Sequence, residues 1–207
     1  MKLLHIIASP RGERSASNQV AQAFIDTIMA VHPGSSCDTL DVWHTELPAF
    51  DGPALDAKYA ALEGRTRSNE QLAVWEQIKT LAARFHASEV ILFSVPMWNL
   101  GIPYRLKHLI DAVSQKDVLF TFDERGLLGL LGGRKVVVIG ARGVAMAASD
   151  VASTADFQND YMAAWARMVG IDDFYSVHVE KTLYGAEQDH ASRALACEKA
   201  RALAKSF

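Results

Sequence analysis

The sequence predicts a doubly wound α/β protein, in which one parallel β-sheet lies between two layers of helices. Two observations support this fold class. Short apolar runs of strand length alternate along the chain with longer segments whose apolar residues recur at helical spacing. Two of the runs, 90–93 and 136–139, are apolar throughout, which is typical of parallel strands covered on both faces. Right-handed crossovers then place helices on both sides of the sheet.

Five segments are predicted to form the sheet, and helices are predicted between and after them. The strands are expected at 3–8, 37–42, 89–95, 135–139 and 174–179. The helices are marked by Val20, Phe24, Ile28 and Val31, by Val74, Ile78, Leu81 and Phe85, by Leu106, Leu109, Ile110 and Val113, by Tyr161, Trp165 and Met168, and by the segment 191–204. Residues 45–51, which include Pro48, are predicted to form an irregular connection.

The segment 117–133 is too long for a simple connection between a helix and a strand. Its aromatic run at 120–122, followed by Asp123-Glu124-Arg125-Gly126, predicts a small hairpin inserted before the fourth strand of the sheet. Insertions of this kind often carry function. Because we find no linker or repeat, the whole chain, 1–207, is expected to form a single domain.

The composition argues against several classes of protein. The chain has 207 residues, of which 50% are apolar and 22% are charged, the usual balance of a globular protein. A formal charge of −3 gives no reason to expect a nucleic-acid partner. The apolar runs are all shorter than the ~20 residues of a membrane span. Cys37 and Cys197 form no CxxC motif and are expected as buried thiols, which favours the cytoplasm.

The polar residues show no motif for a metal or a protein nucleophile. No histidine pair has metal-ligand spacing, and His5 and His178 fall inside predicted strands, where a structural role is expected. A GxSxG nucleophile elbow is also missing from the sequence. This pattern suits a protein in which a bound cofactor carries the chemistry.

Three loops are expected at one edge of the sheet, because the carboxyl ends of parallel strands meet there and bind ligands. The first loop, 9–17, leads into a helix whose N-terminus favours an anion, and it offers Ser9, Arg11, Ser15 and Ser17. It contains neither GxGxxG nor the P-loop motif, so a single terminal phosphate fits it better than a pyrophosphate. The alternative is that a serine simply caps the helix.

The second and third loops suit a flat ring. The second, 96–103, carries Trp98 and Asn99 between two prolines, which offers apolar contact to a ring face and polar contact to its edge. The alternatives are packing for Trp98 and turn formation for Asn99. The third loop, 140–144, contains Gly140 and Gly143, which allow close approach of a ligand to the backbone, although a plain turn would also use them.

Five short motifs occur in order between about residues 3 and 170. They are Ser9-Pro10-Arg11 with Ser15-Ala16-Ser17, Pro96-Met97-Trp98-Asn99 with Gly101-Ile102-Pro103 and Leu106-Lys107, Phe120-Thr121-Phe122 with Glu124 and Gly126, Gly129-Leu130-Leu131-Gly132-Gly133-Arg134-Lys135, and Ala141-Arg142-Gly143. In this order and spacing they resemble the FMN-dependent NADH-azoreductase family, which is related to the quinone reductases.

The resemblance implies a flavodoxin-like fold with strand order 2-1-3-4-5, one tightly bound FMN per chain, and a homodimer with both active sites at the interface. It implies an enzyme that passes two electrons from NADH or NADPH through the flavin to quinones or azo compounds, in ping-pong order. The phosphate end would be held by Ser9, Arg11, Ser15, Ala16 and Ser17. The flavin ring would lie against Pro96, Met97, Trp98, Asn99, Leu100, Ala141, Arg142, Gly143 and Val144, and Phe120 would line the partner subunit's substrate pocket.

Two positions depart from the family pattern, and two other functions stay open. Val144 replaces a usual second glycine, which bears on close approach to the ring, and Phe122 replaces a usual tyrosine, which bears on a hydroxyl contact. The first alternative function is a flavodoxin-type electron carrier, although such carriers are typically shorter, strongly acidic and without the 117–133 insertion. The second is a ligand-binding regulatory domain that holds no flavin.

Overall fold

The computed structural model describes residues 1–146 and 156–207, which form a five-stranded parallel sheet with helices on both faces. Its strands are β1 (Lys2–Ile7), β2 (Ser36–Asp41), β3 (Val90–Pro96), β6 (Lys135–Ala141) and β7 (Asp173–Val179), and a separate antiparallel hairpin consists of β4 (Phe120–Asp123) and β5 (Gly126–Gly129). The sheet order is β2-β1-β3-β6-β7. With the hairpin strands left out of the numbering, this order confirms the predicted 2-1-3-4-5.

The described residues, 1–146 and 156–207, include six α-helices, which lie on the two faces of the sheet. They are α1 (Ala16–Val31), α2 (Gly52–Leu62), α3 (Asn69–Ala87), α4 (Tyr104–Val113), α5 (Phe157–Met168) and α6 (Ala186–Ala204). Of the helices in 1–146 and 156–207, none combines the length and apolar character that a bilayer crossing requires.

The sheet separates two hydrophobic layers. Phe24 and Ile28 of α1 pack with α6 on one face, while α3, α4 and α5 cover the other face. The central strand β3 serves both layers, since Leu92 points to the α1 side and Phe93 to the opposite side. Both residues are completely buried, as the uniformly apolar run at 90–93 predicts.

Two helices differ from the prediction for one physical reason. The structure contains α2, which was not predicted, and α6 begins at Ala186 rather than at residue 191. The buried face of α2 is formed by Ala54, Ala57 and Ala60, and α6 likewise buries mainly alanines. Alanine favours helices but adds little contrast to an apolar pattern, so both segments lack the stripe of large residues that marks the other helices.

The two cysteines are free, but only one is fully buried. Cys197 is buried between α6 and the sheet, whereas Cys37 on β2 is partly exposed. The expectation of two buried thiols was therefore wrong for Cys37. The physical reason is that β2 forms the edge of the sheet and is covered less completely than the central strands.

The strands β1, β3 and β6 are neighbours, so the loops that follow them begin side by side. Ile7 pairs with Ser94, and Pro96 pairs with Ala141. The backbone pairing continues past the strand ends, because the Met97 N–H donates to the Ala141 carbonyl at 2.8 Å. The strand order reverses between β1 and β3, and this is the position at which doubly wound sheets bind ligands.

Candidate functional site

The loop after β1, which we call the phosphate loop (9–17), ends in a capped helix N-terminus. A short 3₁₀ turn over Gly12–Arg14 leads to Ser15, whose hydroxyl accepts a hydrogen bond from the Asn18 N–H at 3.3 Å. The Ser15 and Ser17 hydroxyl oxygens lie 3.1 Å apart, and both side chains are buried. Ser15 is therefore a helix cap, as the alternative interpretation of this loop states.

The cap leaves other donors at this helix end available. Within the described residues, the backbone N–H groups of Ala16 and Ser17 find no protein acceptor. They lie at the positive end of the α1 dipole, and the exposed Arg11 precedes them. Ser9 is buried at the start of the loop and accepts a long 3.5 Å contact from the Arg11 N–H. The donor set suits one compact anion.

The loop after β3, which we call the ring loop (96–103), contains a two-residue reverse turn. The N–H of Trp98 donates to the Gly101 carbonyl and the N–H of Gly101 to the Trp98 carbonyl, both at 3.0 Å. The two central residues have left-handed backbone angles, with φ of +48° at Asn99 and +69° at Leu100. Asparagine tolerates this conformation, but leucine seldom adopts it, so the turn stores backbone strain.

Beside the ring loop lies a cavity of about 690 Å³, which we call the ring cavity. Half of its lining residues are aromatic, and the full set is Trp98, Asn99, Gly101, Ile102, Tyr104, Lys107, Phe157 and Tyr161. Lys107 is bound to Asp111 at 2.6 Å. Burial, with a smaller effect of Asp111, raises the pKa of Tyr161 from its ordinary value of 10.0 to about 12. The cavity can accept a flat, largely apolar ligand.

The loop after β6 (141–144) is held in place by a buried arginine. The Arg142 guanidinium bonds to Asp156 at 2.6 Å, to Gln158 at 3.1 Å and to Glu180 at 3.3 Å. Its side chain is 3% exposed. The guanidinium is thus committed to protein partners. The backbone of this residue is committed as well, because the Arg142 N–H donates to the Val179 carbonyl at 2.7 Å and the Arg142 carbonyl accepts from the Thr182 N–H at 3.2 Å.

Gly143 and Val144 complete this loop. A Cβ atom at residue 143 would lie 2.6 Å from Cδ1 of Leu183, whose N–H also donates to the Gly143 carbonyl at 3.1 Å. The contact with Leu183 therefore favours glycine at residue 143 independently of any ligand that approaches the loop. Val144 is 41% exposed, and Leu183 is 80% exposed next to it. These exposed apolar groups border the same edge of the sheet.

Trp43 is part of this edge and was missed by the sequence analysis. Its indole N–H donates to the carbonyl of Ala8 at 2.9 Å, next to the phosphate loop. Its ring centroid lies 5.7 Å from that of Trp98 and 5.4 Å from that of Tyr104. It thus braces the phosphate loop against the ring loop. The available signal was position, because an aromatic residue that follows β2 leaves the sheet at the same edge.

Phe120 lies on the hairpin and does not line the ring cavity, although Tyr161 lines both that cavity and the one beside Phe120. Phe120 lines a separate cavity of about 410 Å³ with Phe50, Tyr161 and Trp165 among others. Its ring centroid is 5.4 Å from that of Phe122. Within the described chain, Phe120 and Trp98 do not share a cavity.

Both strand histidines lie in the sheet, but only His5 has the satisfied position that was expected, because the buried Nε2 of His178 has no hydrogen-bond partner among the described residues. His5 bonds to the Ser94 hydroxyl at 2.6 Å, and burial lowers its pKa to about 4. His178 lies on β7, where burial and then the charge of Arg142 lower its pKa to about 4. Among residues 1–146 and 156–207, we find no group of histidine, cysteine and carboxylate side chains that could hold a metal ion.

The sheet order and the three loops at its switch point define a flavodoxin-like α/β protein. The sequence model of the family described as having a flavodoxin-like fold matches residues 1–204. The chain belongs to this family.

Among relatives, the chain is 55% identical to FMN-dependent NADH:quinone oxidoreductase 2 of Pseudomonas syringae pv. tomato, over 88% of each chain. It is 45% identical to FMN-dependent NADH:quinone oxidoreductase 9 of Burkholderia lata, over 100% of this chain and 99% of that one.

The fold is also found in solved structures. An azoreductase from Bacillus anthracis superposes with a TM-score of 0.90 at 23% identity, and each chain is covered completely. An FMN-dependent NADH-azoreductase from the same species, solved in complex with FMN, superposes with a TM-score of 0.86 at 24% identity, over 98% of this chain and 99% of that one. At this level of identity the two structures support the fold, while the closer sequence relatives bear on function.

Proposed function

We propose that this chain is an FMN-dependent oxidoreductase that uses NADH or NADPH to reduce quinones and azo compounds. The observation that carries the proposal is the pairing of an anion-binding helix end with a strained aromatic loop at one switch point of the sheet. The names of relatives that are 55% and 45% identical agree with it.

The residues present fit FMN. Its single phosphate matches the N–H groups of Ala16 and Ser17, which have no protein acceptor in the described part of the chain, together with Ser9, Ser15 and Arg11. Its ring matches the ring loop, where the left-handed turn presents the backbone and side chain of Asn99 at the surface. Pro96, Met97, Trp98 and Leu100 would flank Asn99 along the ring, and the loop formed by Ala141, Arg142, Gly143 and Val144 would lie against the opposite edge.

When bound, FMN supplies the redox chemistry, which is uptake of a hydride from a reduced nicotinamide and delivery of two electrons to an acceptor. The protein's own groups orient the reactants. Trp98, Tyr104 and Phe157 form an apolar wall that removes water from a flat substrate. Tyr161 offers a neutral hydroxyl to the same cavity.

We also propose that the active unit is a homodimer whose subunits each contribute to both sites. Tyr104 is 65% exposed and Phe157 is 59% exposed beside the ring cavity, while Phe122 is 53% exposed on the hairpin. Exposed apolar groups of this size, on structured elements, favour burial by a partner. Phe120 would then reach the ring cavity of the second subunit. The free thiols favour the cytoplasm as the compartment.

The proposed function is tested by loading the protein with FMN and mixing it with NADH in a stopped-flow instrument. Rapid bleaching of the flavin absorbance, followed by its return on addition of a quinone or azo dye, is the expected result. Steady-state rates should give parallel double-reciprocal lines for donor and acceptor. A protein that takes up FMN but is not reduced by NADH or NADPH would be an electron carrier, and one that takes up no FMN would be neither.

A further inference from the structure

A depression of about 250 Å³ near the root of the hairpin has a strongly basic lining. We call it the basic recess. Its charged lining residues are Lys58, Arg67, Lys79, Lys116 and Asp117, and its apolar ones are Leu62, Trp75 and Val118. Four cations therefore face one carboxylate. This imbalance is local, because the whole chain has a formal charge of −3.

Two of these cations have counter-ions, and two do not. Lys79 bonds to Glu76 at 2.7 Å and Lys116 to Asp117 at 2.9 Å. In residues 1–146 and 156–207, neither Lys58 nor Arg67 has a carboxylate within ion-pair distance. Both are partly buried, and a partly buried charge without a partner raises the free energy of the folded protein. The recess is thus short of negative charge.

Arg67 is held in a fixed orientation. Its guanidinium lies over the ring of Trp75, 4.2 Å from the centroid, and its Nε donates to the carbonyl of Ala57 at 2.7 Å. Burial lowers the pKa of the Arg67 guanidinium. Its two terminal nitrogens have no acceptor within the described residues. They present the planar fork of donors that binds phosphate and sulfonate groups.

The basic recess adjoins the cavity that Phe120 lines, and Phe120 is the residue proposed to reach the acceptor in the partner subunit. Lys58 lines both the recess and the neighbouring cavity that contains Phe120. Lys116 and Asp117 lie on the segment that leads to Phe120, and the Asp117 N–H donates to the Phe120 carbonyl at 2.7 Å. A molecule in contact with Phe120 can therefore extend a substituent toward Lys58 and Arg67.

We propose that the basic recess binds an anionic group, a phosphate or a sulfonate, of a substrate of this enzyme. The proposal rests on the oxidoreductase function proposed above. The volume suits one or two such groups and is smaller than the roughly 300 Å³ at which whole-ligand pockets begin, so the rest of the substrate lies outside it. The group can come from the diphosphate of a nicotinamide dinucleotide or from a sulfonated acceptor.

Direct binding is tested by calorimetric titration of inorganic pyrophosphate into the FMN-saturated protein, whose phosphate loop is then filled. The double substitution Lys58→Gln with Arg67→Gln should weaken pyrophosphate binding by about tenfold or more, because hydrogen bonds between charged groups are lost. The control is Lys199→Gln with Lys205→Gln, which removes the same charge from α6 and its C-terminal end. Equal binding by both double variants would overturn the proposal.

Kinetics then identify the source of the anion. If the recess holds the donor, the double substitution raises the KM for NADH or NADPH about tenfold and leaves the KM values of acceptors unchanged. If it holds the acceptor, the KM of a sulfonated naphthoquinone rises and that of the same quinone without the sulfonate does not. Unchanged KM values for donor and both quinones would overturn the proposal.

Two further measurements keep the outcome clear. Because Arg67 packs on Trp75, its substitution also changes packing. Each test is therefore repeated with Lys58→Gln alone, since Lys58 makes no hydrogen bond to the described residues and its substitution leaves this packing intact. A wild-type protein with no turnover of the uncharged quinone would contradict the proposed function. If the wild type turns over that quinone normally, and the recess variants have the same pyrophosphate affinity and KM values as the control variant, only the recess proposal is contradicted.

Discussion

Asn99 contributes a left-handed backbone conformation to the turn and a side-chain amide to the ring cavity, and different substitutions test the two contributions. Its backbone has a φ of +48°, and its side chain is exposed at the edge of the ring cavity. Glycine adopts this backbone angle without strain, whereas alanine in the left-handed region costs about 1 kcal/mol. The turn and the amide group can therefore be tested independently.

We predict that Asn99→Gly and Asn99→Ala both weaken FMN binding about fivefold, because both lose the amide. Asn99→Ala should in addition lower the free energy of unfolding by about 1 kcal/mol, while Asn99→Gly should lower it less. Flavin fluorescence titration measures the first effect and urea denaturation the second. If Asn99→Gly binds FMN as tightly as the wild type, the amide does not contact the flavin.

His5 gives a prediction about pH and stability. Burial holds its pKa at about 4 in the folded protein, below the ordinary value of 6.5, against a smaller opposing effect of Asp41. The unfolded chain thus binds this proton more readily than the folded one. The stability contributed by neutral His5 is complete above pH 6.5 and is lost as the pH falls from 6.5 towards 4.

Between pH 7 and pH 4, the free energy of unfolding should fall by about 3 kcal/mol more in the wild type than in His5→Gln, which cannot take up the proton. Chemical denaturation across this pH range measures the difference. His178 titrates in both proteins and so cancels. Parallel stability profiles would show that His5 is not protonated over this range.

At the scale of single residues, the sequence predicted position better than orientation. It placed Ser15, Asn99 and Gly143 at one edge of the sheet because the carboxyl ends of parallel strands meet there. It did not show that the Arg142 guanidinium turns to Asp156 and Glu180, since those carboxylates come from distant parts of the chain. The brace formed by Trp43 was missed for the same reason.

The hairpin is fixed to the rest of the protein through a contact between two glycines. A Cβ atom on Gly129 of β5 would overlap the backbone of Val169 and Gly170, just after α5. The neighbouring Leu131 N–H donates to the Val169 carbonyl at 2.8 Å. Gly129 also pairs with Phe120 in the hairpin, so this contact positions Phe120.

We predict that Gly129→Ala lowers the free energy of unfolding by roughly 3 kcal/mol, because two backbone segments must separate. Turnover should fall as well, since Phe120 moves with the hairpin. Gly132→Ala is the matched control, because its Cβ would lie 3.7 Å from the nearest atom, the Gly170 carbonyl oxygen, which is ordinary contact. Thermal unfolding and steady-state assays measure both effects. Equal stability of the two variants would contradict this account.

Elements with large apolar side chains were predicted from sequence, and elements with small ones were not. The strand at Val90–Pro96 and the helix at Asn69–Ala87 both show strong patterns and were found close to their predicted positions. The helix α2 buries alanines, which pack closely but do not stand out from a polar background. Its existence depends on contact with α3, and a local pattern does not contain that information.

For the whole molecule, the three-layer architecture was predictable because alternating strands and helices with right-handed crossovers cover both faces of a parallel sheet, and the family resemblance implied the strand order. Quaternary structure was not, since it depends on how exposed groups of two chains meet. The resemblance supplied the homodimer, and the exposed Tyr104, Phe157 and Phe122 are compatible with it. If both subunits contribute to each site, mixing two different variants restores some intact sites.

In the proposed homodimer, each site combines the ring loop of one subunit with Phe120 of the other. Asn99→Ala and Phe120→Ala should each damage both sites of their own dimers. When the two variants are unfolded together in equal amounts and refolded, half of the dimers are mixed, and each mixed dimer contains one site with neither substitution. Random pairing of symmetric subunits then restores about a quarter of the wild-type sites. Steady-state turnover of the refolded mixture should therefore exceed that of either variant alone by about a quarter of the wild-type turnover. No recovery would show that Phe120 acts within its own chain.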